Sequence, residues 1–263
     1  MPQVKERDTT PNAATISAFK EWLVMLGVLL ATCIAYTPSI TGGFLWDDPE
    51  YIRDNLLLRD VHGLVRIWTE PTASPQYYPV TFTSFWIEHQ LWGLETGGYR
   101  FINLLLHCGS AILLWRILKK LEVPGAMLAA AMFACHPVMT ESVAWMTERK
   151  NTLSLLLALW SLRYWLQQQD TRSVRGLVLC ALFFILAILS KSVVATLPAV
   201  FLVIAWWKHG RINKADWIKA LPLQVVGAVM GVATAMIEKH HVGATAAMVP
   251  ELNLSTLQRI VIA

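Results

Sequence analysis

Long apolar runs alternate with short polar segments along this chain, and the runs are long enough to predict helices that cross a membrane. The first extends from about Phe19 to Ile40, near the roughly 20 residues that a bilayer requires. No small-residue cleavage site follows it, so it reads as a retained span and not as a signal peptide. Further spans are predicted at about Tyr99–Leu118, at Pro124 to His136-Pro137, and at Asn151–Trp165. Three more follow at about Gly176–Ser190, Ser192–Trp207 and Leu221–Ile237. Residues 254–263 open another apolar segment, too short to cross alone, which reads as the start of a truncated further span.

Between the first two runs lies a mixed segment, 41–98, rich in acids and aromatics. Its stretches Leu56–Trp68 and Thr81–Leu94 carry apolar residues at helical spacing and predict amphipathic helices. Trp68, Trp86 and Trp92 suit the membrane interface. The expected architecture is an all-α integral membrane protein, one domain over 1–263, with residues 1–18 as a cytoplasmic tail and 41–98 as an outer loop of interfacial helices.

Composition agrees with the pattern: 55% of residues are hydrophobic and only 15% are charged, against about 25% in soluble proteins. The net charge of +4 comes from basic residues spread over short loops, which excludes a nucleic-acid surface and instead sets topology. With the N-terminus cytoplasmic, three basic groups share that side: Arg116/Lys119/Lys120, Arg163/Arg172/Arg175 and Lys208/Arg211/Lys214/Lys219. Asp47, Asp48, Glu50, Asp54, Asp60, Glu88, Glu141 and Glu148 then fall on the opposite side. The four cysteines lie in apolar runs without CxxC spacing and read as buried thiols, and His240-His241 lacks the further ligands of a metal site.

Four clusters could carry chemistry. Asp47-Asp48, in the string Phe44–Tyr51, offers a carboxylate to take a proton from an attacking hydroxyl; a capped turn before Pro49 is the structural alternative. The run His136–Asn151 holds His136, Glu141, Arg149 and Lys150, a set able to hold a phosphate or to form a wet loop. Lys191, between Ser190 and Ser192, sits where an anionic lipid phosphate could meet it or where a lysine simply snorkels. Arg100, Asn103 and His107 share one helix face, and Gln76-Tyr77-Tyr78 could line a sugar site or anchor an interface.

The strings Phe44–Tyr51, Gln76–Pro79, Gly98–His107 and His136–Asn151, in this order, resemble the transmembrane-and-tetratricopeptide-repeat family of the GT-C glycosyltransferases, relatives of the protein O-mannosyltransferases. The similarity covers about residues 40–240 and does not include the repeats of about 34 residues. The resemblance implies a GT-C-type multi-span bundle and inverting transfer of a sugar from a polyprenyl- or dolichyl-phosphate donor to a hydroxyl, often Ser or Thr of a protein. The site would face away from the cytoplasm, in a bacterial inner membrane or the endoplasmic reticulum. Carried over, it implies Asp47 or Asp48 as base, with Asp47 favoured; Arg149, Lys191 and His136 toward the donor phosphate; and Glu141, Gln76, Tyr77, Tyr78 and Arg100 toward substrate. No resident cofactor is expected, a divalent metal between Asp47 and Asp48 being the alternative not favoured; the partners are membrane lipids, the lipid-linked sugar and a protein or glycan acceptor. Two other classes fit the residues alone: a transporter or channel for an anionic solute, and a non-catalytic truncated membrane partner.

Overall fold

The computed structural model describes residues 13–241, so the segment 254–263 and most of the N-terminal tail lie outside the described residues. The described residues form ten α-helices of an all-α membrane protein: α1 (Ala13–Ile40), α2 (Val61–Thr69), α3 (Pro79–Trp92), α4 (Thr96–Lys120), α5 (Ala126–Cys135), α6 (Thr140–Ala144), α7 (Arg149–Thr171), α8 (Val174–Ile188), α9 (Leu197–His209) and α10 (Lys214–His241). Among the described residues four helices are long and apolar enough to cross a membrane, within Phe19–Ile40, Thr96–Lys120, Ser192–His209 and Lys214–Ile237, and a bent pair at 126–144 makes up to five.

Three predicted spans differ from simple crossings. The span predicted from Pro124 breaks into the ten-residue α5 and the segment Pro137–Ala144, bent by 49°. Pro137 has no N–H to give the helix, and it holds His136 extended at φ −70°, ψ 130°. The predicted Asn151–Trp165 span is the longer α7, too polar to qualify on hydropathy because Arg149, Lys150, Arg163 and Gln167–Gln169 lie on it. It nonetheless joins the two ends of the molecule, with Arg149 among the outer-loop residues and Asp170 among the basic ones. The predicted Gly176–Ser190 span is α8, apolar but only 15 residues, or about 22 Å at the helical rise.

α8 doubles back along α7 after Arg172, which turns the chain at φ +52°. Leu159, Leu162, Trp165 and Leu166 of α7 pack against Cys180, Phe184, Ala187 and Ile188, and Phe201 of α9 stacks on Trp165 at 4.8 Å. At one end of the bundle, Lys120 pairs with Asp170 at 2.6 Å and Lys208 approaches Asp170 at 3.7 Å, while Lys119 pairs with Glu21. The start of the first span and the C-terminal ends of α4, α7 and α9 therefore share one face, as the basic-loop pattern predicts.

At the other end the outer segment builds a core of its own. Tyr51, Ile52, Leu58, Ile67, Phe82 and Phe85 pack with Tyr99 and Met146. Helices α2 and α3 stand where the two amphipathic stretches are predicted, but α3 buries Phe82, Phe85 and Glu88 in protein instead of presenting one open apolar face. Gly63 permits this packing, because a Cβ there would lie 2.2 Å from the Leu57 carbonyl oxygen. The start of α3 docks on the end of α8: Val80 N–H donates to Leu189 O at 3.3 Å and the Thr81 hydroxyl to Ser190 O at 3.0 Å. That docking brings Lys191 to the outer-loop core.

Candidate active site

The two adjacent aspartates diverge. Asp48 is fully buried: Oδ2 accepts the Leu45 N–H at 2.8 Å and Oδ1 accepts the Thr147 N–H at 3.1 Å. Burial raises its pKa above the ordinary 3.8, opposed by those backbone donors and by the Arg100 charge. Asp47 is exposed at the start of the π-helical turn Pro49–Arg53. The preceding residue, Trp46, takes φ +38° and packs edge-on against Trp145 at 4.8 Å. A left-handed tryptophan is uncommon and aims the two carboxylates in different directions.

Asp47 acts electrostatically on Tyr51, whose phenol is pushed above its usual range first by burial and then by Asp47 and Glu50. The Tyr51 hydroxyl donates to Gln76 Oε1 at 2.8 Å, and the ring stacks on Phe82 at 5.4 Å. Lys150 Nζ lies over the same ring, 5.5 Å from its centre, and pairs with Glu148 at 3.1 Å. Glu148 also accepts from Asn151 and faces Lys191 at 3.9 Å, and Lys191 donates to the Asn151 side chain. Asn151 further donates to Ser142 at 3.0 Å, and Tyr78 meets Ser192 at 3.4 Å. The result is one polar string from Asp47 through Tyr51 to Lys191, drawn from the outer loop, α7 and the turn after α8.

A groove of about 260 Å³ leaves this string at Asn151 and runs past Ser154, Leu155, Val194, Leu197 and Val200. Its lining is mostly aliphatic, with Asn151, Ser154 and Thr196 as its polar residues. Among the described residues no group of three or more His, Cys, Asp and Glu side chains is placed to hold a metal ion.

Two sequence-predicted substrate residues point into the frame instead. Arg149 is fully buried, and all five of its N–H groups are used. Nε donates to Asn103 Oδ1 at 2.5 Å, and the two terminal nitrogens donate to Ser84 Oγ, both Glu88 oxygens and Tyr99 O. No donor remains for the phosphate that the sequence reading assigned to it. Arg100 donates to the carbonyls of Gly42, Gly43 and Ala144 and so ties the loop after α1 to α6. Asn103 and His107, on the same face, bond Trp145 O and Ala134 O.

The remaining predicted residues divide. Gln76, Tyr78 and Lys191 join the string. Tyr77 donates to Trp68 O at 3.2 Å and holds its loop to α2. His136 is exposed, its Nδ1 accepting the Val138 N–H at 3.2 Å as a local cap, and Glu141 is exposed in the first turn of α6. Lys150, already marked by the sequence as able to hold a phosphate, joins the string in place of Arg149, whereas the sequence did not single out Tyr51, Glu148 or Asn151. The signal was helical: consecutive residues on a helix point about 100° apart, so Arg149 turning inward leaves Lys150 facing the loop.

Residues 74–248 match the family described as dolichyl-phosphate-mannose-protein mannosyltransferase. The protein O-mannosyl-transferase Tmtc3 of Drosophila melanogaster is 31% identical over 185 residues, 58% of this chain and 20% of that protein. Tmtc1 of the same organism is 25% identical over 197 residues, 71% of this chain and 23% of that protein. The protein O-mannosyl-transferase TMTC3 of Homo sapiens is 27% identical over 153 residues, 53% of this chain and 16% of that protein. The chain thus spans about a fifth of the length of these relatives, and no solved structure matches it. With two thirds of its length inside the family match, this chain belongs to the dolichyl-phosphate-mannose-protein mannosyltransferase family.

Proposed function

We propose that this chain is the part of a membrane glycosyltransferase that moves a sugar, mannose by the family's description, from a polyprenyl- or dolichyl-phosphate donor to a Ser or Thr hydroxyl of a protein. The observation that carries this reading is the division of labour in the acid pair: Asp48 is locked into the frame and Asp47 is left open beside Tyr51. An acceptor hydroxyl gives its proton to the Asp47 carboxylate as its oxygen attacks the anomeric carbon. The bond from that carbon to the phosphate oxygen breaks with inversion, and the lipid phosphate leaves. Lys191 and Lys150, the cations of the string, stabilise the negative charge that builds on the phosphate. The groove from Asn151 along Leu155, Leu197 and Val200 gives the donor's isoprenoid chain an apolar path once its phosphate is at Lys191.

In this reading, which the positive-inside pattern of the basic loops supports, the basic end faces the cytoplasm and the site the opposite side of a bacterial inner membrane or the endoplasmic reticulum. This reading asks for no resident cofactor; the lipid-linked sugar is the donor substrate.

The test is transfer of labelled mannose from dolichyl-phosphate-mannose to protein in membranes containing this chain, alongside Asp47→Asn. Labelling that needs Asp47 supports a transferase with its base in the first outer loop. Labelling that survives Asp47→Asn removes Asp47 from the chemistry, and no labelling with inserted, folded protein favours a non-catalytic role for this chain.

A further inference from the structure

The basic end of the bundle holds two adjoining cavities, lined by none of the residues assigned to the transfer reaction. A cavity of about 370 Å³ opens there between α1, α4 and α7, lined by Trp22, Trp115, Arg116, Lys119, Lys120 and Arg163, with Glu21 at its edge. A second cavity of about 410 Å³ adjoins it, sharing Glu21, Trp115 and Lys119, and is walled by Val24, Ala126 and Met127. Lys20 stands at its rim. Gly125 lines this cavity at φ +77°, with open space where a Cβ would be.

The charge is unbalanced. Lys20, Arg116, Lys119, Lys120 and Arg163 face the pair of cavities, whereas Glu21 is their one lining acid among the described residues. Glu21 is engaged by Lys119, and Lys120 is engaged by Asp170. Among the described residues no acid pairs with Arg116 or Arg163; Arg163 stacks over Trp160 at 5.8 Å. The floor is preformed, since Trp115 is buried and meets Trp22 edge-on at 4.9 Å.

Position names the occupant. Lys119 lies 19 residues beyond Arg100 on the same helix, about 29 Å along its axis. The cavities therefore sit at the membrane boundary opposite the polar string, where the apolar spans of α1 and α4 end. A cationic, indole-walled pocket continuing into an aliphatic one matches a molecule with an anionic phosphate and a hydrocarbon chain. We propose that this paired cavity binds one anionic phospholipid of the cytoplasmic leaflet, with its phosphate between Arg116 and Arg163 and one acyl chain along Val24, Ala126 and Met127. The bound lipid bridges α1, α4 and α7, helices whose other ends carry the site.

The experiment uses the full chain in nanodiscs of phosphatidylcholine with a minor share of phosphatidylglycerol, followed by native mass spectrometry of the released protein. The wild type retains one phosphatidylglycerol. Arg116→Gln/Arg163→Gln lowers the retained fraction roughly tenfold, since each basic residue at an anionic surface contributes a several-fold factor. Met127→Trp, which fills the aliphatic cavity and leaves every charge, lowers it as well. Arg211→Gln/Lys214→Gln, an equal loss of charge outside the cavities, leaves retention unchanged. Equal losses in both double variants would show only general surface charge, and protection of the detergent-solubilised protein by inorganic phosphate alone would show a free-anion site; either result overturns the proposal. Unchanged retention in Arg116→Gln/Arg163→Gln, with melting as wild type, overturns it too.

Discussion

The carboxylate of Asp48 accepts the backbone N–H of Thr147 at 3.1 Å, joining two outer segments 99 residues apart in sequence. Through the other oxygen, Asp48 closes the turn that begins at Leu45. One buried side chain thus sets the register between the first loop and the start of α7, and with it the meeting of Tyr51, beside Asp47, with Lys150.

Asp47 and Asp48 are therefore expected to fail in different ways. Asp48→Ala leaves the Leu45 and Thr147 N–H groups without an acceptor and is expected to lower stability by about 1–3 kcal/mol, chiefly through the buried Thr147 donor. Asp47→Asn removes nothing the frame uses; melting stays at the wild-type value while transfer falls by at least roughly 100-fold, the lower range for loss of a general base. Thermal unfolding in detergent and labelled-sugar transfer, measured on the same preparations, separate the two.

The pH dependence of stability follows from the same burial. The pKa of Asp48 is raised in the folded protein above 3.8, chiefly by desolvation. Over the window from that ordinary value up to the raised one, the folded state holds more proton than the unfolded state, so stability falls as pH rises. The contribution is fully present below the ordinary carboxylate pKa and is lost above the folded one. Melting of the wild type across mildly acidic pH is expected to show this slope, and Asp48→Asn to flatten it.

Arg149 is expected to behave as a frame residue. Arg149→Ala leaves Glu88 buried without its partner, and unfolding should become easier by about 3–5 kcal/mol. Replacing both members, as Arg149→Met/Glu88→Leu, should restore much of that loss, because two apolar groups leave no unpaired charge. A double variant that stays as unstable as the single one would assign the damage to Asn103, Ser84 and Tyr99 O instead.

Lys150 and Lys191 are expected to act on the donor. Lys191→Gln should raise the apparent KM for the lipid-phosphate sugar and lower kcat/KM by roughly 10- to 100-fold, about 1.4–2.7 kcal/mol of transition-state binding. Melting should move little, since Lys191 keeps partial contact with solvent. The readout is transfer as a function of donor concentration at fixed acceptor.

Gly63→Ala tests the outer-loop core apart from any charge. The added methyl meets Leu57 backbone at 2.2 Å, an obstacle that no rotamer change removes. A loss of about 1–3 kcal/mol is expected, with protease sensitivity rising first in the outer segment between α1 and α4.

Much of this molecule was legible in the chain itself. Apolar runs, their lengths and the basic loops between them are local properties, so the all-α membrane architecture, the long polar segment between α1 and α4 and the basic residues sharing one end of the bundle followed from residues read in order. The break at His136-Pro137 was legible as a span boundary, because proline restricts its own φ and its predecessor's; the bent continuation into α6 was not. Tertiary structure alone decided which of two neighbouring residues does which task. Asp47 and Asp48 are chemically identical, and only the N–H groups of Leu45 and Thr147 make one of them buried and leave the other open. Arg149 and Lys150 are both basic, and only the position of Glu88 on a separately docked α3 turns the first inward and leaves the second over Tyr51. Hydrophobicity is a property of each residue, whereas desolvation and hydrogen-bond saturation belong to the partners that folding brings from distant positions in the chain.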